Sequence, residues 1–116
     1  MSEQNCLFCK IVAGEIAADI VHSDEQTVAF RDISPQAPVH VLVIPRAHLA
    51  SLHEAAQRDD APLDRLLRAA ARVAQQEGLS ESGYRTVINT GAGAGQSVFH
   101  LHLHVLGGRA LSWPPG

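Results

Sequence analysis

The sequence predicts an α+β fold in which an antiparallel sheet has helices packed on one side. Two observations predict it: short β-branched runs are joined by hairpin-length turns, and one long amphipathic segment interrupts them. The chain has 116 residues, enough for one domain with a single core but not for two. We therefore expect a single domain over residues 1–116.

The composition excludes several classes of protein. Hydrophobic residues make up 46% and charged residues 18% of the chain, a balance typical of folded globular proteins. The formal net charge of −3 argues against general capture of nucleic acid, which needs a basic surface. No apolar run approaches the roughly 20 residues of a membrane span, and the N-terminal residues lack a signal-peptide pattern. We expect a cytoplasmic protein that contacts neither membrane nor nucleic acid.

The N-terminal half predicts one short helix followed by three strands. The helix covers residues 6–13 and ends at Gly14, because glycine is favoured just beyond a helix C-terminus. The strands are rich in β-branched residues and are bounded by polar turns or prolines. Their expected ranges are 20–22, 27–31 and 39–44, the last being a central strand closed by Pro45.

The C-terminal half predicts a long helix, a shorter one and two strands. Asp59 or Asp60 caps the long helix, Pro62 occupies its first turn and Gly78 ends it. Its apolar face recurs at three- and four-residue steps; the residues are Leu63, Leu66, Leu67, Ala70, Val73 and Ala74. The other expected elements are a short helix at 48–56, strands at 84–89 and 98–106, and a glycine-rich loop at 90–97.

The last expected strand alternates histidine with aliphatic residues over positions 100–106. Side chains in a strand alternate between two faces, so His100, His102 and His104 should share one face while the aliphatic residues pack into the core. The alternative is that the three histidines lie on a solvent-exposed face and have no chemical role. Since histidine is a good nucleophile, proton donor or metal ligand near neutral pH, this register favours a catalytic or metal site.

The glycine-rich segment at 91–97 leads directly into the histidine run. Small residues allow backbone N–H groups to converge on an anion, and Gln96 and Ser97 add side-chain donors. The loop is neither a P-loop nor a dinucleotide-binding fingerprint, and by itself is a weak signal. Its position indicates that it could hold a phosphate against His102.

Cys6 and Cys9 form a Cys-x-x-Cys pair. Two cysteines cannot build a disulfide framework, and in a reducing compartment this spacing more often indicates a metal site or a redox pair. Two buried, reduced thiols are a third reading. The redox reading is disfavoured because no thioredoxin-like βαβ pattern surrounds the pair.

The run His-Leu-His-Leu-His-Val-Leu at 100–106 resembles the signature of the histidine triad (HIT) superfamily. Several further blocks agree in order along nearly the whole chain, so it is similar to the nucleotide-binding, or Hint, branch of that superfamily. These blocks are residues 8–11, 30–40, 43–48, 95–99, 107–109 and 113–116.

The resemblance implies a homodimer whose antiparallel sheet continues across the interface, and a purine nucleoside phosphoramidase. Such an enzyme hydrolyses a nucleoside 5′-phosphoramidate to the nucleoside monophosphate and an amine. His102 would be the nucleophile, giving a covalent nucleotidyl-imidazole that water resolves. The alternatives are a nucleotide-binding regulatory protein with incidental turnover, a dinucleoside polyphosphate hydrolase, and a pure metal-binding protein.

The resemblance also implies roles for other residues. His104 would donate to a phosphoryl oxygen or to the departing amine, Ser97 would lie near the leaving group, and His40 would support the triad that His100 begins. Asp32 would bind both ribose hydroxyls, since a carboxylate suits two adjacent donors. Five apolar residues match the base pocket: Phe8, Ile11, Ile16, Phe30 and Ile33. Further expected nucleotide contacts are Asn89, Gly95, Gln96, Ser97 and Val98.

One expectation concerns the C-terminal tail. Trp113 lies in a proline-stiffened tail and is expected to reach the partner's active site, or alternatively to fold back on its own protomer.

The resemblance also implies a metal site. Related proteins pair a Cys-x-x-Cys motif with two histidines, which here implies a structural Zn²⁺ in the tetrahedral N/S environment that zinc prefers. The expected ligands are Cys6, Cys9, His48 and His100.

Overall fold

A computed structural model describes residues 3–116 and contains a five-stranded antiparallel sheet of order β1-β2-β3-β5-β4. The strands are β1 Ile20–Ser23, β2 Thr27–Arg31, β3 Val39–Pro45, β4 Tyr84–Val87 and β5 Leu103–Gly107. The helices are α1 Leu7–Val12, α2 Leu52–Ala55 and α3 Leu63–Gln76. Met1 and Ser2 of the expected 1–116 domain lie outside the described residues. Over residues 3–116, no helix is both long and apolar enough to cross a membrane.

The sheet is covered on both faces, and the pleat explains which residues lie where. On one face Ala29, Val41 and Val43 pack under α3; on the other, Phe30 and Leu42 pack with α1. Successive residues of β2 and β3 therefore pack alternately into two cores, one on each face of the sheet, as expected when both faces of a strand are buried. The expected antiparallel sheet with packed helices is confirmed, but the helices were expected on one side only and lie on both, since α1 packs on the face opposite α3.

Helix α3 buries one stripe of its surface, but its start and one face residue differ from expectation. Pro62 is the N-cap residue and makes no side-chain cap; Asp60 instead accepts from the guanidinium of Arg58 at 3.2 Å. Leu67 is 57% exposed, because it is rotated about 100° from Leu66 at 3.6 residues per turn. The predicted stop is confirmed, since Gly78 follows the helix with φ of +77°.

Several predicted elements are shorter than expected, among them α2, β4 and β5. Helix α2 begins only after Ser51, whose Oγ accepts from the N–H of Glu54 at 3.2 Å. Strand β5 begins at Leu103 rather than at residue 98, since its pairing with β3 starts there. Just before it, the Leu101 N–H donates to the Leu49 carbonyl at 2.6 Å. His100 and His102 consequently lie at the entry to β5 and not within a regular strand.

Asp24 organises the turn between β1 and β2. Its carboxylate accepts from the N–H of Gln26 at 2.9 Å and from the N–H and hydroxyl of Thr27 at 2.8 Å. Nε2 of His22 lies 3.0 Å from the same carboxylate. Burial opposes ionisation, but these hydrogen bonds outweigh it and hold the pKa of Asp24 well below its usual range.

Replacing Asp24 by alanine should lower the free energy of unfolding at pH 7 by about 1–2 kcal/mol, because several donors lose their acceptor. A depressed carboxyl pKa contributes stability above its unfolded value of about 3.9 and loses it as the pH falls further. The difference between wild type and Asp24→Ala should therefore shrink in acid. Urea titrations at pH 7 and pH 3.5 measure this, with the exposed neighbour substitution Glu25→Ala as control. Equal stability of wild type and Asp24→Ala at pH 7 would contradict the prediction.

Candidate active site

A pocket of about 300 Å³ opens on the α1 face of the sheet, beside the histidine run. It has an apolar wall and a polar edge, a combination typical of small-molecule sites. Ten of the predicted residues line it: Phe8, Ile11, Ile16, Phe30, Asp32, Ile33, Ser97, Val98, His102 and His104. Lining residues that sequence reasoning missed are Leu7, Ala17, Ala18, Arg31 and Leu42. Asn89, Gly95, Gln96 and Trp113 are not part of this lining.

The imidazole of His102 is held in one tautomer. Its Nδ1 lies 2.7 Å from the backbone carbonyl oxygen of His100, and since a carbonyl only accepts, Nδ1 carries the proton. Nε2 of a neutral ring is then left with its lone pair. The side chain is 7% exposed and lines the pocket, so the arrangement provides an unprotonated imidazole nitrogen at a small-molecule cleft.

A hydrogen-bond relay determines the tautomer of His104. The Gln36 N–H donates to Nδ1 of His40 at 3.0 Å, which places the His40 proton on Nε2. That Nε2 lies 2.9 Å from Nδ1 of His104, so His104 accepts there and carries its own proton on Nε2. Burial, with His102 and His40 nearby, lowers the pKa of His104 to about 4. His104 is thus a neutral donor at the edge of the pocket.

Asp32 is oriented by two neighbours. One carboxylate oxygen accepts from the N–H of Ser34 at 2.8 Å, and the other lies 3.5 Å from Nε2 of His40. Its side chain is 20% exposed, so the remaining acceptor capacity faces the pocket that it lines. This arrangement suits a ligand with adjacent hydroxyl groups.

Asp32, His40 and His104 also lie close enough together to hold a metal ion, but their hydrogen bonds disfavour one. A metal on Nε2 of His40 would move the proton to Nδ1, which would then oppose the N–H of Gln36 at 3.0 Å. Two donors facing each other in a buried site are costly. We therefore assign this group to hydrogen bonding.

The glycine-rich loop is braced internally by Gln96 and Gly95, and anion binding by this loop stays a prediction. Gln96 is 4% exposed; its amide nitrogen donates to the carbonyls of Ala50 at 2.8 Å and Val98 at 3.0 Å. Its amide oxygen accepts from the N–H of Gly91 at 2.8 Å, and the Gly95 N–H donates within the loop. Gln96 and Gly95 therefore shape the loop, and Ser97 is the loop residue that reaches the pocket.

Cys6, Cys9, His48 and His100 converge as predicted, with one ligand atom of each lying within 4.8 Å of the others. Nδ1 of His100 lies 3.3 Å from Sγ of Cys6 and 3.5 Å from Sγ of Cys9. Nδ1 of His48 lies 3.2 Å from Sγ of Cys9. We call these four residues the Cys–His cluster. The ring of His100 belongs to this cluster, whereas its backbone carbonyl contacts His102.

The donor set of the Cys–His cluster fits a tetrahedral metal. Nε2 of His100 donates to the Pro45 carbonyl at 2.8 Å, which leaves Nδ1 free to coordinate. Zn–S bonds of about 2.3 Å and Zn–N bonds of about 2.0–2.1 Å place S and N roughly 3.5 Å apart in a tetrahedron, close to the observed separations. Burial and the adjacent Cys6 thiol raise the pKa of Cys9 to about 12, so the Cys9 thiolate forms only when a cation neutralises it.

The buried histidines predict a pH dependence of stability. Burial lowers the pKa values of His40, His100 and His104 in the folded protein, whereas the unfolded value is about 6.5. Below that pH the unfolded chain binds more protons, so stability falls as the pH drops from about 6.5 towards 4. Metal-free protein should show a lower urea midpoint at pH 5 than at pH 7.5, and His104→Gln a smaller difference. Equal midpoints in wild type would contradict the prediction.

Trp113 is 81% exposed, so it does not fold back on its own protomer. Arg85, in the edge strand β4, donates to the carbonyl oxygens of Leu111 at 3.4 Å and Ser112 at 2.9 Å. These bonds hold the tail beside the sheet edge and leave the indole in solvent.

An antiparallel sheet with a run of histidines at the entry to its β5 strand, beside an apolar pocket, defines the histidine-triad class of α+β proteins. The model of the HIT domain family matches residues 13–111, and the chain belongs to this family.

The chain is similar to several named proteins over almost its full length. The chain is 57% identical over 116 residues to an uncharacterized HIT-like protein of Synechococcus elongatus, covering 100% of both. It is 45% identical over 111 residues to the purine nucleoside phosphoramidase of Escherichia coli, covering 96% of this chain and 92% of that one. Among solved structures, a HIT family hydrolase from Legionella pneumophila Philadelphia 1 has a TM-score of 0.91 and 54% identity, covering 97% of this chain and 100% of that chain.

Proposed function

We propose that this protein hydrolyses purine nucleoside 5′-phosphoramidates through a covalent nucleotidyl intermediate on His102. The observation that carries the proposal is the 2.7 Å contact between Nδ1 of His102 and the His100 carbonyl, because it leaves Nε2 free to attack phosphorus. The E. coli relative named purine nucleoside phosphoramidase supports the substrate class.

The lining of the pocket supports a mode of substrate binding. The apolar wall, including Phe8 and Phe30, takes the base, and Asp32 accepts from the two ribose hydroxyls. These contacts place the 5′-phosphoramidate at the polar edge formed by Ser97, His102 and His104. An apolar wall discriminates poorly between bases of similar shape, so both purines are expected to be substrates.

The reaction proceeds in two displacements. Nε2 of His102 bonds to phosphorus as the bond from phosphorus to the N-protonated leaving group breaks and the free amine departs, while Nε2–H of the neutral His104 donates a hydrogen bond to a phosphoryl oxygen. Water then attacks the same phosphorus, the P–N bond to His102 breaks, and the proton lost by water passes to solvent. The net change is addition of one water across the original P–N bond.

Acid quenching during turnover tests this proposal. Mass spectrometry of the quenched protein should show an adduct of one nucleoside monophosphate on His102, with adenosine and guanosine phosphoramidates alike. A dinucleoside polyphosphate in parallel tests the alternative hydrolase. Release of monophosphate without an adduct, or binding of monophosphate without any turnover of phosphoramidates, would overturn the proposal; the second result would favour a regulatory nucleotide-binding protein.

We further propose that the Cys–His cluster holds one structural Zn²⁺ per chain. Two thiolates and two imidazoles fill the tetrahedral set, so the ion would brace α1 against the entry to β5 and take no part in the displacement. His48 and His100 would each coordinate through Nδ1.

We propose a homodimer that extends the sheet through β4. This strand is an edge of the sheet, and an unpaired edge favours pairing with another chain. The exposed Trp113 beside it would then reach the partner's pocket. Sedimentation at micromolar concentration should give a dimer, and deleting residues 112–116 should change the preference among leaving groups. A monomer, or an unchanged preference, would contradict the respective part.

A further inference from the structure

Phe8 lies between the two cysteines of the Cys–His cluster in sequence and against the proposed nucleophile in space. Its ring centroid is 5.1 Å from that of His102 with the planes at 89°, and 5.9 Å from that of His100 with the planes at 71°. One phenyl ring that is 4% exposed therefore contacts an imidazole of the cluster and an imidazole of the active site.

The cluster fixes the turn of helix that carries Phe8. Cys6 is fully buried and caps α1, its Sγ accepting from the N–H of Cys9 at 3.3 Å. Both sulfurs contact Nδ1 of His100. The first turn of α1 can therefore shift only if the contacts of the cluster change.

The direction of the His102 ring depends on packing as well as on hydrogen bonding. The bond from Nδ1–H to the His100 carbonyl selects the tautomer, but the terminal torsion of histidine has a broad energy minimum. Phe8 and His104, whose centroid is 5.2 Å from that of His102, pack against the ring. These contacts limit its tilt and so determine where Nε2 points.

We propose that Phe8 is a positioning residue that transmits the order of the Cys–His cluster to the imidazole of His102. This role is separate from that of a wall for the base. It rests on the proposed function, since it takes His102 as the nucleophile.

The first test uses Phe8→Leu with two substrates that share one leaving group, adenosine 5′-phosphoramidate and the ribose 5-phosphoramidate that lacks the base. Misplacing a nucleophile by a fraction of an ångström lowers kcat by about tenfold to a hundredfold, so both substrates should lose rate by similar factors. If Phe8 only lined the base pocket, Phe8→Leu would leave kcat for the base-free substrate unchanged, and that result would overturn the proposal. Val28→Ala trims the same apolar cluster away from the pocket lining and should keep kcat. Phe8→Met replaces Phe8→Leu if the latter does not fold.

The second test measures the coupling. Phe8→Leu should lower kcat by a smaller factor in a Cys9→Ser background than in wild type, because Cys9→Ser has already disrupted the cluster contacts through which Phe8 orients His102. If the double variant lost kcat by the product of the two single-variant factors, that result would contradict the proposal.

A long-range ¹H–¹⁵N spectrum of the imidazoles needs no substrate. It should show a single Nδ1–H tautomer of His102 in wild type, and His102 signals of the same tautomer that are broadened by a variable ring tilt in Phe8→Leu and in Cys9→Ser. Unchanged His102 signals in both variants would overturn the proposal. This readout separates its failure from that of the proposed function, which would appear as absent turnover in wild type.

Discussion

Replacing His102 by alanine is expected to lower kcat for an adenosine 5′-phosphoramidate by about a thousandfold or more. The substitution removes the nitrogen that forms the covalent intermediate, and loss of a nucleophile affects the transition state far more than ground-state binding. Affinity for adenosine monophosphate should therefore stay within about tenfold of wild type. Steady-state kinetics and calorimetric titration with the monophosphate measure the two effects.

The matched control is His53→Ala, which removes an exposed histidine of α2 that does not line the pocket. It should keep the wild-type kcat. If His102→Ala kept more than about a tenth of the wild-type rate, the nucleophile would have to be another residue.

Disrupting the Cys–His cluster is expected to have the largest effect on stability. Protein purified without chelator should contain about one zinc per chain, and Cys9→Ser or His48→Ala should contain well below half of that. Metal binding to a site that the unfolded chain lacks adds directly to folding free energy. A loss of about 2 kcal/mol or more corresponds to a fall in Tm of roughly 10 °C for a domain of this size.

His53→Ala serves again as the control for His48→Ala, since it removes a nearby histidine outside the cluster. Chelation of the wild-type protein should reproduce the Tm of Cys9→Ser. A wild-type preparation with little zinc, or a Tm indifferent to chelator, would refute the structural metal and leave two buried, reduced thiols.

Local periodicity was sufficient to predict the elements that follow one repeat over many residues. The three- and four-residue steps of α3 predicted its buried stripe, and the β-branched run of β3 predicted a central strand. The alternation of histidine with leucine predicted that Leu101 and Leu103 are buried. The roles expected of Asp32, His40 and His104 came from the resemblance to the histidine triad superfamily, because their spacing along the chain does not bring them together by itself.

Four features were decided only by tertiary structure. The entry to β5 is irregular because residues 100–101 bond to the Pro45 and Leu49 carbonyls, which turns the His100 ring into the Cys–His cluster. Gln96 braces the loop because its buried amide must satisfy every donor and acceptor. The relay from Gln36 to His104 selects the tautomers, and the choice of sheet face for α1 creates the pocket.

The sequence by itself indicated which segments form strands and helices and which histidines and cysteines are candidates for chemistry, since both follow from residue type and short-range repeats. Only the tertiary structure decided where each ring nitrogen points and which histidine serves which site. Those choices depend on hydrogen bonds between segments as distant as His40 and His104, or Cys6 and His100. No local pattern encodes such bonds, because a donor finds its acceptor only after the sheet has assembled.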